Sequence, residues 1–531
     1  MDVKLSPFTD ALIKNYRQII KKPPLNELSR INVSQTVSFF AIVYEKIRNA
    51  VEYREEHLIR RAAIERIMKR RLLLNSQGTG EAENLIRELL WARYFPNGGL
   101  GATDVINVQS LIDQYVVLRK QLVVGQVDAK KVYYNQFLFD LLTCEIEESL
   151  APDEAQKNLL FTSYLFQILR KKIKIEGVAD NDKDAFFYAA IEKTYAKSDE
   201  AYLRYHIFNL TDQLLFGSKN MQSADVVAKL PAAFKHVDRI IANPFIDKLS
   251  KYARTQIPTF IILFEILQRN IANIEEILSS KDKLWSQVDE ICRQKYQQTS
   301  ARLRGLAVRS LIYIFLTKMV FALILEYPLS QYFYGEVNWE SITINSIFPP
   351  ILMLIIISFV RIPGEDNTKK IFESVENIID ESQSFDTGLA YVLRKPRVRK
   401  PLLIFGFTVF YSLTFLITLT IIYEALTFLR FNLISQIIFI FFVSVVSFFG
   451  FRVRQIAKEY RLQMKESFFS PFIDFFFMPI LSLGKFFSNE IAKLSFFTII
   501  FDYLLEAPFK FIFEIVEEWI AFVRARKEEI I

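Results

Sequence analysis

Two hydropathy regimes divide this chain. Up to about residue 305, apolar positions recur at three- and four-residue spacing between charged ones, which is the period of amphipathic helices. Beyond it, apolar residues run almost unbroken over the roughly 20 positions that a helix needs to cross a bilayer core. In the first regime Phe40, Tyr44, Ile47, Val51 and Leu58 carry one long helical pattern to about Leu74, with Asn32 and Gln35 forming a start of capping-box type. Arg60, Arg61, Lys69, Arg70 and Arg71 make that helix basic and amphipathic. The spacing predicts further helices over 81–94, 104–124, 132–149, 153–175, 184–197, 199–215 and 256–278. Turns at Gly78–Gly80 and Pro96–Gly99 punctuate them. Segment 1–75 is therefore read as a polar lead with a basic amphipathic helix, and 76–304 as a domain of helix pairs without a fixed-period repeat.

Four apolar runs follow, at 306–327, 342–360, 401–422 and 432–451, and predict a transmembrane bundle over 305–452. Its connections report orientation. Arg293, Lys295, Arg302 and Arg304 precede the first run, whereas 328–341 has no Lys or Arg. The loop 361–400 is basic at both ends, the next connection holds Arg430 alone, and Arg452, Arg454, Lys458, Arg461 and Lys465 follow the fourth run. Basic residues thus alternate sides as the positive-inside rule requires. The start of the chain is polar, with no apolar secretory segment, and puts the first domain on the same side. The expectation is an all-α, multi-pass protein of the cell (inner) membrane with a large N-terminal helical cytoplasmic domain. Both termini are expected in the cytoplasm, with the lipid bilayer as first partner.

The tail, 453–531, is Phe-rich and less regular. Pro471, Pro479 and Asp474 interrupt 467–483, and Glu490, Lys493 and Asp502 interrupt 486–505, so both read as re-entrant or interfacial segments. An amphipathic helix over 507–527 presents Glu514, Glu517 and Glu518. An acidic face suits protein better than an anionic leaflet, and Arg394, Lys395, Arg397, Arg399 and Lys400 are its natural complement. That basic run also suits anionic headgroups, or serves as ordinary flanking charge.

Composition sharpens this picture in three ways. Fifty Phe against 15 Gly and 17 Pro would expose too much aromatic surface in a soluble protein. The net charge of +7 resides entirely before residue 306, since the remainder holds 22 basic and 22 acidic residues. That mild excess is far from a nucleic-acid footprint, and no nucleic-acid partner is expected. Two cysteines, Cys144 and Cys292, read as packed free thiols.

Candidate chemistry is sparse. His57, His206 and His236 have no metal-ligand spacing and read as surface or capping residues. No phosphate loop and no Gly-x-Ser-x-Gly elbow occurs, so no cofactor, metal or catalytic group is assigned. The exception lies within the bundle. Lys318 sits far from either end of the first span, where a charge costs about 2.5–3.5 kcal/mol on insertion scales and must face protein or water. In the second span Pro349 and Pro350 free carbonyls one turn earlier, at Asn345 and Ser346. Counted from the outer ends, these groups share a depth. Glu326 and Glu424, near those ends, read as interfacial. The cluster Lys318, Asn345, Ser346, Pro349 and Pro350 is either an ion or substrate site, or a structural plug. Three functions follow in order. The first is a non-enzymatic, membrane-anchored interaction or scaffold module with a protein partner. The second is an oligomeric channel or transporter subunit, and the third a membrane-embedded enzyme acting on lipid.

Overall fold

The structure is a computed structural model that describes residues 4–21, 30–33, 55–123, 127–176, 180–211, 224–335, 337–380, 391–393, 401–457, 459–462 and 470–493. Ser6 starts the first helix, α1 (Pro7–Ile20), by accepting from the Thr9 N–H with Pro7 at the first helical position. Then come α2 (Glu56–Leu74), α3 (Glu81–Trp91), α4 (Ala102–Val123), α5 (Asp128–Leu150) and α6 (Pro152–Arg170). A three-residue strand, β1 (Ile173–Ile175), leads to α7 (Asp180–Ile191), a π-turn (Glu192–Ala196), α8 (Glu200–Thr211), α9 (Ala224–Ile241), α10 (Pro244–Arg269) and α11 (Ile274–Ser279). The last group is α12 (Lys281–Phe321), a second π-turn (Ala322–Glu326), α13 (Tyr327–Tyr334), α14 (Trp339–Ser358), α15 (Glu365–Ile379), β2 (Tyr391–Leu393), α16 (Pro401–Phe428), α17 (Leu433–Ala457) and α18 (Ser470–Lys493).

Among the described residues the chain is all-α apart from the parallel pair β1–β2. Helices α1 to α11 and the first half of α12 share one apolar core. Stacked rings tie it across sequence, with Phe137 on Phe234 and Phe161 on Phe264, each at 4.0 Å between centroids. Helix α2 buries two of the charges that make it basic. Arg60 is only 3% exposed and Arg61 is buried too, because carboxylates of neighbouring helices meet both. The expected start of that helix, between 34 and 54, lies outside the described residues. Asn243 caps α10 by accepting from the Phe245 N–H, with Pro244 in the first turn, so that helix starts well before residue 256.

Later chain returns to this core. Ile371, Val375, Ile378 and Ile379 of α15 are buried in it, against α10 and α12. Asn367 ties the segment after α17 to it. Its amide donates to the Tyr296 hydroxyl and the Tyr460 carbonyl, and its carbonyl accepts from the Leu462 N–H, each at 2.8 Å. The Ser6 N–H donates to the Ile379 carbonyl, and β1 pairs with β2. Segments before the first span, between the second and third, and after the fourth therefore meet on one side of the bundle.

Helix α12 joins the two parts without a break. Its 41 residues extend about 60 Å. Leu284, Val288 and Ile291 sit in the domain core, whereas Leu303 and Ile314 pack in the bundle. Among the described residues, four helices are long and apolar enough to cross a membrane: Lys281–Tyr334 taken through its π-turn, α14, α16 and α17. They agree with the four runs in the sequence. Large side chains such as Leu402, Phe407 and Ile421 are 82%, 71% and 63% exposed, an apolar surface that in water would mark a contact site.

α17 is the central helix, packed against α14 and α18. α18 runs unbroken through Pro479 and through the stretch between 483 and 486, where a division into two segments was expected. Gly484 explains how it lies so close to α17. A Cβ there would collide with the Ser444 carbonyl oxygen and come within 2.7 Å of the Phe448 Cβ. Glu514, Glu517 and Glu518, and the basic run Arg394, Lys395, Arg397, Arg399 and Lys400, lie outside the described residues.

A graded glycine series checks this packing. Gly484→Ala meets backbone and is expected to cost about 1–3 kcal/mol. Gly450→Ala meets only the movable Ile356 side chain, at 2.7 Å, and costs less. Gly406→Ala has nothing within 4 Å and leaves stability unchanged or slightly raised. Melting curves of the detergent-solubilised protein should rank the three in that order.

Candidate functional site

Two polar sites are built inside this molecule, one in the bundle and one in the helical domain. In the bundle, Ser341, Asn345, Pro349 and Met353 recur every four residues and form the buried stripe of α14. Pro349 and Pro350 have no N–H to give to the carbonyls of Asn345 and Ser346, yet the helix continues to Ser358. The Lys318 ammonium turns to a carboxylate instead of those carbonyls. Its Nζ donates to Glu326 Oε2 at 2.9 Å and lies 5.0 Å from the centre of the Phe442 ring. The Asn345 amide donates to Glu326 Oε1 at 2.7 Å and to the Ser435 carbonyl at 3.1 Å. Lys318, Glu326 and Asn345 are all 0% exposed.

Lys318 and Asn345 are thus brought together, with Glu326 as the bridge. Pro349 lies on the same stripe, Ser346 and Pro350 are half-buried beside it, and Glu424 is exposed. Glu326 is fully buried, contrary to its interfacial reading, and the π-turn is the reason. Eight residues of regular helix would place position 326 about 80° around the wheel from 318. The wider turn over Ala322–Glu326 absorbs part of that rotation, and the backward tilt of the Glu326 side chain does the rest. Toward the end remote from the domain, the Asn338 amide and the Ser341 hydroxyl donate to the Arg430 carbonyl, and the Asn432 amide to Ser330 Oγ. These bonds close the far side of the cluster.

The second site lies among α2, α5, α6, the first π-turn and α8. It surrounds a cavity of about 420 Å³. His206 projects from α8 between two carboxylates, with Nδ1 at 2.9 Å from Glu192 Oε2 and Nε2 at 2.8 Å from Glu148 Oε1. Both ring nitrogens face acceptors, so the ring carries both protons. Burial alone would lower its pKa. The charge of Glu192 and the hydrogen bonds to Glu148 and Glu192 override that and raise it to about 10. Glu192 is held below its ordinary value despite burial, by His206 and by the Ser198 hydroxyl, which donates at 2.7 Å. On the opposite wall Glu147 accepts from Arg60 Nε at 2.8 Å and from the Tyr202 hydroxyl at 2.6 Å. His57 stands edge-on to Tyr202, its pKa lowered by burial, so its imidazole is neutral at pH 7.

His206 and His57, which read in the sequence as surface or capping residues, are functional candidates. The available signal was slight. Tyr202, His206 and Asn209 stand one turn apart on one face of α8, but the carboxylates come from distant segments. His236 is half-buried and meets Asp182 at 3.2 Å. Both cysteines are buried free thiols. Among the described residues no group of three or more His, Cys, Asp and Glu is arranged to hold a metal ion. No protein-family model, curated protein or solved structure matches this chain.

Each site carries a stability prediction. Lys318→Met or Glu326→Gln alone strands a buried polar or charged partner and should cost about 3–5 kcal/mol. The double variant should recover most of that loss in thermal melts, as expected for a mutually neutralising pair. For His206 the folded-state pKa lies above the ordinary 6.5. Its contribution is therefore complete below about pH 6.5 and fades as pH rises through about 10. The gap in melting temperature between wild type and His206→Gln should shrink steadily from pH 6.5 to pH 10.

Proposed function

We propose that this chain is a multi-pass protein of the cell membrane whose helical domain, on the cytoplasmic face, serves as a membrane-anchored interaction module. The observation that carries the reading is the return of α15, β2 and Leu462 to the domain built by α1 to α12. Each connection that the positive-inside rule assigns to the cytoplasm contributes to that one body. The far connections, around Gly335 and Arg430, are short turns that present little surface for recognition. Most of the ordered polar surface therefore belongs to the domain, and it is held in fixed relation to the membrane by α12. Helical pairs of this kind offer grooves and faces for a partner protein.

The Lys318 cluster fits this reading as a plug that neutralises its own charge. Buried pairs fix the register of helices when each member has its partner. The conduit reading, in oligomeric form, retains one observation in its favour: the side-chain oxygens of Asn345 and Gln436 are buried without a protein partner. Such acceptors suit water or a passing cation.

Reconstitution separates the two. Liposomes carrying oriented wild-type protein should pass ions and small solutes no faster than protein-free liposomes, and Lys318→Met should leave that result unchanged. Flux present in wild type and lost in the variant would replace the module with a conduit. In the same vesicles, a cysteine at Tyr332 should react only with reagent on the face opposite to a cysteine at Lys157. Reaction of both from one face would overturn the topology.

A further inference from the structure

Helix α18 holds a lysine at a depth where a charge needs a partner. The register of α18 on the bundle fixes that depth. Gly484 lies against the Ser444 carbonyl and Phe448 of α17, and the rings of Phe487 and Phe441 stand 5.0 Å apart. Numbers rise on α18 as they fall on α17, so the two helices run antiparallel. On the other flank Phe475 stacks on Phe410, and Ser482 meets the Tyr411 hydroxyl at 3.0 Å, so α18 enters beside the start of α16. Its 24 residues extend about 36 Å, enough to cross a bilayer core. That length brings Lys493 level with the first turn of α17, at the end remote from the domain.

Lys485, next to Gly484, is level with Ser444, midway along α17. It is exposed, and among the described residues no carboxylate meets its ammonium. A lysine at that depth must face protein or water, because either membrane surface is about 15 Å away and beyond its reach. The described helices have no carboxylate to offer it. Glu326 is fully buried and already holds Lys318 and Asn345. Glu424 of α16 stands about 15 Å nearer the far end. On α18 itself, Glu490 is about 140° around the helix and Asp474 about 16 Å toward the domain. A second copy in the same orientation brings the same spans at the same depths, so its described helices leave Lys485 unanswered too.

We propose that α18 is a fifth crossing, and that segment 494–531, outside the described residues, returns along its Lys485 face with Asp502 or Glu506 neutralising the lysine. Thirty-eight residues follow Lys493, and about 20 suffice to recross a bilayer core. Between 494 and 513 the charged residues are Asp502, Glu506 and Lys510 alone. A return that turns within two or three residues of Lys493 reaches the level of Lys485 at about residue 504, between the two acids. The pairing repeats the solution that Lys318 finds in Glu326. It also brings the C-terminus to the side of the helical domain, as expected from the sequence. The inference rests on the membrane reading and deepens it.

Labelling in oriented liposomes and a charge cycle test it on the full-length protein, whose native thiols are buried. A cysteine at Lys493 is expected to react from the same face as one at Tyr332, and a cysteine at Ile531 from the same face as one at Lys157. Opposite faces for Tyr332 and Lys157 uphold the membrane reading whatever the two new positions do, so the two failures are told apart. Lys485→Met would raise the melting temperature in detergent if the lysine had no partner. It is expected to lower it by about 5 °C or more, because it strands a buried carboxylate. Asp502→Asn or Glu506→Gln should lower it alike, and the matching double variant should recover most of the loss. The labelling positions leave Lys485 in place, so they decide even if the charge variants fail to fold. A melting temperature unchanged or raised in Lys485→Met, losses that simply add in both double variants, or Ile531 labelled from the Tyr332 face would each overturn the proposal. A change of oligomeric state in Lys485→Met, read by light scattering, would make a second copy the occupant and overturn it as well.

Discussion

Buried charge must be neutralised where it lies, and that requirement sets how the helices of this chain can sit. A guanidinium or ammonium inside a protein is tolerated only with a carboxylate in hydrogen-bond reach. Arg60 needs Glu147, Arg61 needs Asp199, Arg71 needs Glu88, Arg204 needs Asp140, and Lys318 needs Glu326. Apolar packing is permissive about a small rotation of a helix, but these pairs are not. Arg60 and Arg61 point to different partners from one turn of α2, which fixes both the rotation of that helix and its height against α5 and α8. His206 extends the rule, since one ring is held by Glu148 of α5 and Glu192 of the π-turn.

Lys318 applies the same rule under harsher conditions. Water cannot reach it, so the pairing is local, within one helix and across to Asn345 of α14. The helix pays for this with a distorted turn over Ala322–Glu326, which rotates the acid into place. Because α12 is continuous from Lys281, the site in the bundle and the core of the domain share one rigid element. A shift of that rod along its axis would disturb Leu284 and Val288 at one end and Lys318 at the other.

The broad architecture was legible in the sequence because it rests on long-range averages. A run such as 401–422 is apolar whatever its neighbours are, and the basic loops repeat the same signal. What was hidden depends on geometry. Glu326 reads as interfacial because it lies near the outer end of its apolar run, and only the π-turn and the pairing with Lys318 show it buried. The burial of Arg60 and Arg61 is not legible in their basic, amphipathic helix because their partners, Glu147 and Asp199, lie far along the chain. His206 was passed over for the same reason. Its nearest neighbours in sequence are apolar or aromatic, and both carboxylates arrive through tertiary contact. The continuous α18 defied its prolines because Pro479 is tolerated inside a helix that packs closely on α17 through Gly484.

The return of α15 and Leu462 to the domain has a meaning for synthesis of the protein. The core that holds Leu12, Phe161 and Phe264 also holds Ile371 and Val375, which leave the ribosome only after the first two spans. Chain up to Phe321 can collapse, but the face of α10 and α12 that α15 covers stays open. In the membrane reading, a first hairpin inserted upside down strands α15 across the bilayer from its seat. On that reading the finished domain is a record that insertion went correctly, and an unsealed apolar face marks a chain in which it did not.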